Sequence, residues 1–275
     1  MVGDESSSSA RIQNTADGRY ARPMPKIKVG VQLHPQATTT NALRDAWRAA
    51  DAMKVDSIWL WDHFFPLMGD PDAAHFECYA LLAAMAVETS HAEFGALVTC
   101  NSYRNPDLLA DMARTIDHLS DGRFILGIGS GWFERDYDEY GYEFGTPGSR
   151  LRDLDTNLDR IMQRLDRLNP APPGHLPILV GGSGEKVTLR LVAEHADAWN
   201  SFGPPEHFAA KNAVLNDWCA KVGRRPDQIE RTVAIMPDAI EQADAFVAAG
   251  AEHIIVMVSA PFDLAPVQQL IKHFE

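Results

Sequence analysis

The chain has 275 residues, 45% of them hydrophobic and 23% charged, which suits a globular protein with one large core or two small ones. A formal net charge of −13 argues against nucleic acid or an anionic membrane surface as partner, since both would repel it. Three widely spaced cysteines, with no Cys-x-x-Cys pair, give no zinc pattern and suit a reducing cytoplasm.

Residues 1–24 are polar, with serines from Ser6 to Ser9 and no apolar stretch of the kind a secretory signal needs. They read as a disordered tail, or as extra sequence upstream of a start near Met24, ahead of one domain over 25–275. No apolar run is long enough to span a bilayer.

From residue 27 onward, strand-length apolar runs alternate with helix-period segments. Strand one is read at 27–33, a helix at 43–53, and strand two at 57–61, apolar on both faces as a buried parallel strand should be. A second helix follows at 74–87, strand three at 92–99, and a helix at 106–119 with Leu109, Met112, Ala113, Ile116 and Leu119 on one face. Strand four spans 123–129. After a long loop comes a helix at 151–168, ended by Asn169-Pro170 and Pro172-Pro173. Strand five (178–180), a helix (187–194), strand six (196–200) and a helix (207–222) precede strand seven (228–235). A helix from Pro237 ending near Gly250, strand eight (252–258) and a last helix (267–274) complete the chain. Eight strand–helix units in roughly 250 residues match a single (β/α)8 TIM barrel, with a doubly wound sheet as rival.

In such a barrel the chemistry sits at the C-terminal ends of the strands. Strand five runs into Gly181-Gly182-Ser183-Gly184-Glu185-Lys186 and then a helix, so free backbone N–H groups and the helix dipole can seat a phosphate there. No Gly-Lys-Ser/Thr ends this segment, so it is not a P-loop. At the end of strand two, His63 is the group best suited to move a proton, with Asp62 either orienting its imidazole or contacting a polar ligand. His34, followed by Pro35, reads as a solvent-exposed loop residue, and His75 and His91 as surface or helix-edge residues. Cys100 reads as a small buried residue. Gly127, Gly129 and Gly131 lack the dinucleotide spacing and are expected to let a flat ring or chain approach the backbone. Trp132 and Phe133 supply apolar wall or pack the loop. The loop 135–148 is read either as a lid or as a solvated connection.

Together these stretches resemble the luciferase-like monooxygenase superfamily and, within it, the branch using the deazaflavin coenzyme F420. The resemblance rests on Trp61-Asp62-His63-Phe64, on Leu97-Val98-Thr99 with Tyr103-Arg104-Asn105-Pro106, and on Asp117-His118-Leu119-Ser120-Asp121-Gly122-Arg123. It continues through Leu126-Gly127-Ile128-Gly129-Ser130-Gly131-Trp132, the Gly181 segment and Ala196-Asp197-Ala198-Trp199-Asn200. It implies a barrel holding the ring at the strand ends, His63 at the reactive face as proton donor or acceptor, and Asp62 at the ring's polar edge. It also implies a non-prolyl cis peptide, here at Ala96–Leu97, behind the ring. Thr99, Gly129 and Gly131 would line the ring and ribityl path, with Gly182, Ser183 and Gly184 on the phosphate after Gly181.

The implied chemistry is hydride transfer between F420 and a small, partly apolar organic substrate, with the protein supplying position and a proton. Two departures stand out. The segment between Leu168 and Pro177 is short where relatives carry an insertion, and Trp132 stands where sugar-phosphate-oxidising relatives have a glutamate. An FMN-dependent monooxygenase of the same fold and an F420 carrier with little catalysis stay open, with a metal-dependent hydrolase last. Relatives are often dimers, which leaves a homodimer open.

Overall fold

Parallel strands and helices alternate through residues 26–275, the part of the chain that the computed structural model describes. The expected tail at 1–24 and the start near Met24 lie outside the described residues. The elements run β1 (Lys28–Leu33), α1 (Thr40–Ala52), β2 (Ser57–Leu60), α2 (Cys78–Glu88), β3 (Glu93–Ala96), β4 (Thr99–Cys100), α3 (Pro106–Leu119), β5 (Phe124–Gly129) and α4 (Glu134–Tyr140). Then follow α5 (Pro147–Leu165), β6 (Ile178–Gly181), α6 (Thr188–His195), β7 (Ala198–Ser201), α7 (Pro205–Val222), β8 (Glu230–Ile235), α8 (Ala243–Ala248), β9 (His253–Val258) and α9 (Ala265–Phe274). Among the described residues, no helix is long and apolar enough to cross a membrane.

The strands pair in the order β3-β2-β1-β9-β8-β7-β6-β5-β4, and β3 also pairs with β5, which closes the ring. β3 and β4 are two halves of one barrel strand separated by Leu97 and Val98, so the closed sheet has eight strands, as the alternation requires. Trp59, Leu97, Ile125, Leu179, Ala198, Ala234 and Ile255 fill the barrel interior. Alternate strand residues such as Ile58, Leu60 and Val180 join the larger core beneath the helices.

Several helix starts differ from the periodicity for local reasons. α5 begins at Pro147 because Thr146 and Ser149 form a reciprocal capping box ahead of the apolar stripe. α2 begins only at Cys78, capped by the Glu77 carboxylate. The preceding residues are drawn into a bridge between Gln36 and His75, and Phe76 N–H donates to the Pro35 carbonyl.

At the N-terminal end of the barrel, His253 links Glu230 (2.8 Å) to Ser57 (2.8 Å), and Lys28 reaches both Glu230 and Glu93. Burial works against the charge on Glu230. The hydrogen bond and charge of His253, together with Lys28, outweigh it and hold the carboxyl at about 2.

The seam between the third barrel strand and β5 leaves no room for side chains. A Cβ on Gly95 would stand 2.2 Å from the Ile125 carbonyl oxygen, and one on Gly127 2.0 Å from that of Ala96. The cis peptide lies at Leu97–Val98 rather than at Ala96–Leu97. Ala96 still pairs with Leu60, and Leu97 N–H donates to the Leu60 carbonyl at 2.7 Å, so the ladder runs one residue further than expected before the strand breaks.

Gly127→Ala should lower unfolding stability by about 3 kcal/mol in urea titrations, because the new methyl meets backbone that cannot step aside. Gly174→Ala, where an added Cβ meets nothing within 4 Å, should change it by no more than about 0.5 kcal/mol.

Candidate functional site

A cavity of about 660 Å³ opens at the C-terminal ends of the strands, and every barrel strand or the residue directly after it contributes to its lining. That volume lies in the range of small-molecule sites. Its walls are mostly apolar, with Leu67, Met68, Trp132, Phe202, Met236 and Met257 among them.

His63 lies on this lining. Its Nδ1–H donates to Asp136 Oδ2 at 2.6 Å, and the edges of Trp61, Trp132 and Phe133 surround the imidazole at centroid distances of 6.2, 5.7 and 5.5 Å. Asp136 is fully buried and also accepts from the Tyr103 hydroxyl (2.7 Å) and from the backbone N–H of Phe64 and Phe65. The group that orients His63 is therefore Asp136 and not Asp62. The long loop after β5 is not merely a solvated connection, because its helix α4 buries Asp136 and Tyr137. Gly141, left-handed at φ 72°, ends that helix.

Asp62 also lines the cavity, but its carboxylate is committed elsewhere. Arg104 grips it with two bonds of 2.6 and 3.0 Å, and Cys100 N–H donates to it at 3.0 Å. Burial works against the charge on Arg104, yet the Asp62 carboxylate outweighs it and raises the guanidinium pKa. Arg104 also reaches Glu77 and lies over the Tyr79 ring, while the Tyr79 and Thr99 hydroxyls pair at 2.8 Å. Burial pushes the Cys100 thiol up to about 11, which leaves it protonated and unreactive near neutral pH.

His34 is not an exposed loop residue. It is 1% exposed, lines the cavity and stacks on Trp61 at 4.1 Å, with Nδ1 paired to Ser259 Oγ at 2.9 Å. Pro35 does not turn it outward, because His34 N–H still donates to the Val258 carbonyl and extends the β1–β9 ladder. His75 is likewise no surface residue. It accepts from Trp61 Nε1–H at 2.9 Å, its ring nearly coplanar with the indole at 9° and beside its edge, whereas His91 is exposed. Burial lowers both His34 and His75 to about 4, so both are neutral at pH 7.

The glycines face protein as much as cavity. Methyls of Val98 fill the Cβ space of Gly129 and Gly181 at 2.8 and 2.9 Å, and the Tyr137 hydroxyl stands 2.0 Å from where a Cβ on Gly131 would be. Their lack of side chains is thus demanded by the chain's own packing. Gly129, Gly131, Gly181 and Gly182 line the cavity together with Leu97 and Thr99. Ala96 is fully buried and off the lining, while Ser183 and Gly184 follow just beyond it. Gly182 N–H donates to the Asn200 carbonyl. Among the described residues, the backbone N–H groups of Ser183, Gly184, Glu185 and Lys186 donate to no protein acceptor. Asp155, Glu194 and His195 have metal-ligand spacing, but they lie on the outer helices α5 and α6, where Arg190 pairs with both carboxylates.

The eight-stranded parallel barrel thus combines an apolar mouth, a histidine–aspartate pair and bare amides after β6. The chain belongs to the luciferase-like monooxygenase family, whose model matches residues 24–274. It is 29% identical over 239 residues to the phthiodiolone/phenolphthiodiolone dimycocerosates ketoreductase of Mycobacterium tuberculosis, covering 73% of this chain and 62% of that one. It therefore spans less than two thirds of that relative's length. In structure it is similar to an F420-dependent secondary alcohol dehydrogenase in complex with an F420-acetone adduct. The TM-score is 0.79 at 16% identity, over 91% of this chain and 98% of the other. It is also similar to the FMN-bound oxygenating constituent of 3,6-diketocamphane monooxygenase from Pseudomonas putida. There the TM-score is 0.69 at 16% identity, over 89% and 95% of the two chains.

Sequence reasoning missed Asp136, Arg104 and the burial of His34. Tyr103 and Arg104 stood within a motif that carried the family resemblance, but no local pattern tied either to a buried carboxylate. Asp136→Asn should cost about 3 kcal/mol in urea unfolding, because an amide nitrogen then faces donors in a buried site. In ¹⁵N spectra of the same variant, the His63 imidazole should lose its preference for a proton on Nδ1. Unfolded histidine titrates near 6.5 but His34 and His75 near 4, so between those values the unfolded chain binds more protons. Their contribution to stability is complete above pH 6.5 and is lost as pH falls toward 4. The fall in melting temperature between pH 7 and pH 5 should be shallower in His34→Gln.

Proposed function

We propose that the protein is an oxidoreductase that binds coenzyme F420 and uses it for hydride transfer to or from a small, partly apolar organic molecule. The single observation that carries this reading is the pairing of His63 with Asp136 on the wall of an apolar cavity whose other side ends in the undonated amides after Gly182. A large flat ring with an anionic tail matches that donor set, and the cavity volume accommodates its head. Leu97, Val98, Thr99, Gly129 and Gly131 would hold the ring, while Gly182, Ser183 and Gly184 would hold the phosphate. When bound, the deazaflavin supplies a ring carbon that takes or gives a hydride.

The chain's own residues do the rest. Asp136 holds Nδ1 of His63, which leaves Nε2 to carry the proton released from or delivered to the reacting pair. The apolar walls exclude water from the hydride path, and the Asp62–Arg104 pair fixes the backbone on which His63 stands. Similarity to an F420-dependent secondary alcohol dehydrogenase among solved structures supports the choice of cofactor. Similarity to an FMN-bound monooxygenase supports a second reading, an FMN-dependent monooxygenase on the same fold.

Fluorescence titration should give an F420 affinity at least about tenfold tighter than that for FMN, and the reverse order would transfer the assignment to FMN. On a panel of small alcohols, aldehydes and ketones, His63→Ala should lower turnover about a hundredfold while leaving cofactor affinity in place. Tight F420 binding with no His63-dependent turnover would instead identify a carrier.

A further inference from the structure

Among the described residues, two buried side-chain polar atoms have no hydrogen-bond partner, Arg114 Nε and His34 Nε2. Of these two residues, only His34 lines the cavity. A buried polar atom left unpaired is costly, and a fold keeps one where a ligand completes it. We propose that His34 Nε2 binds the single neutral oxygen of the substrate, and that the substrate class is an alcohol or carbonyl compound with an apolar body. This rests on the oxidoreductase reading and deepens it.

The placement supports a substrate role over a cofactor role. Around the eight-stranded ring β1 lies opposite β6, four strands away in either direction, so His34 stands across the cavity from the amides after Gly182. An elongated cofactor anchored by its tail after β6 leaves the β1 side to what it reacts with.

The surroundings narrow the chemistry. Among the described residues no lysine or arginine lines the cavity, and His34 is itself neutral near pH 7, so nothing on the β1 side offsets the burial of a carboxylate or phosphate. Four other polar lining groups are engaged by the protein: Gln32 donates to the Leu97 carbonyl, Asp62 is held by Arg104, Thr99 by Tyr79, and Asn200 donates to Thr232, while Nε2 of His63 is reserved for the proton. A molecule with many hydroxyls would leave most of them unpaired against methionine and aromatic walls. One oxygen on an apolar body matches the one fully buried nitrogen that the described lining residues leave unpaired.

Ser259 makes the imidazole serve both sides of an alcohol–carbonyl pair. If the Ser259 hydroxyl donates to Nδ1, Nε2 carries the proton and donates to a carbonyl oxygen. If Nδ1–H donates to Ser259, Nε2 accepts from a hydroxyl. The stack on Trp61, itself fixed by its bond to His75, sets the plane of the ring in either tautomer. His34 is a binding and positioning residue here and exchanges no electrons with the substrate.

The test uses the full chain loaded with F420, ¹⁵N-labelled histidine, and cyclohexanone as probe, with hexanoate as its charged counterpart. Cyclohexanone should shift the His34 Nε2 resonance, assigned by its disappearance in His34→Gln. His34→Phe, which keeps the stack on Trp61, should bind cyclohexanone about tenfold more weakly with F420 affinity unchanged. His34→Gln, whose amide still donates, should recover part of that loss, and hexanoate should bind more weakly than cyclohexanone throughout. Cyclohexanone that binds without moving the resonance, equal affinity in His34→Phe, or a preference for hexanoate would each overturn the proposal while leaving the F420 reading intact. Should His34→Phe not fold, the resonance shift in the unsubstituted protein and the glutamine variant decide the matter. Failure to bind F420 would fall on the underlying reading instead, and cyclohexanone titrated into the protein alone still decides the contact with His34.

Discussion

Closure of the barrel between its third and fourth strands is the constraint on which the remaining geometry depends. The backbones of β3 and β5 approach so closely at Gly95 and Gly127 that a methyl on either would collide with a carbonyl oxygen. Beyond that seam the strand breaks at Leu97 and Val98, and the Val98 side chain drops against Gly129 and Gly181. Four glycines on three barrel strands thus act as one packing unit. The break re-aims the chain so that β4 resumes its pairing with β5 through Thr99 and Cys100, which brings both residues and Leu97 to the cavity.

Two buried carboxylates then fix the mouth. Asp62 receives Cys100 N–H and the Arg104 fork, which ties the end of β2 to β4 and to the loop that leads into α3. Asp136, supplied by α4, receives two backbone N–H groups, the Tyr103 hydroxyl and the His63 imidazole. Each carboxylate is stripped of water, and each is compensated by donors from segments remote in sequence, the condition under which a buried charge is tolerated. Removing one partner leaves a charge or a set of donors stranded, so each pair holds the mouth together as a unit. His63 gains a fixed plane and a fixed tautomer from the same contact that closes α4 over the barrel.

The cavity thereby holds two histidines of different character. His63 is paired with a carboxylate and framed by aromatic edges, a setting for moving a proton. His34 is kept neutral by burial and linked to a hydroxyl that can either give or take a hydrogen bond, a setting for holding an oxygen. Among the described residues, the lining is mostly apolar and carries no lysine or arginine, and the amides after β6 donate to no protein acceptor. Division of the mouth into a glycine-lined end and an apolar end follows from which strand ends carry glycine and which carry aromatic and methionine side chains.

Much of this was legible in the chain itself. Alternating apolar runs gave the strands within a few residues, and the clusters at Trp61, Gly127 and Gly181 lie at strand ends because turn and helix-start chemistry is local. Family membership and the presence of His63 on the cavity came from the same short segments. What only the tertiary structure decided were partners: Asp136 for His63, 73 residues away, Arg104 for Asp62, 42 away, and Ser259 for His34, 225 away. Those pairings depend on ring closure and strand register, which bring together residues no sequence window contains. The sequence sets each residue's chemistry and its element, while the closing of the sheet determines which group it meets.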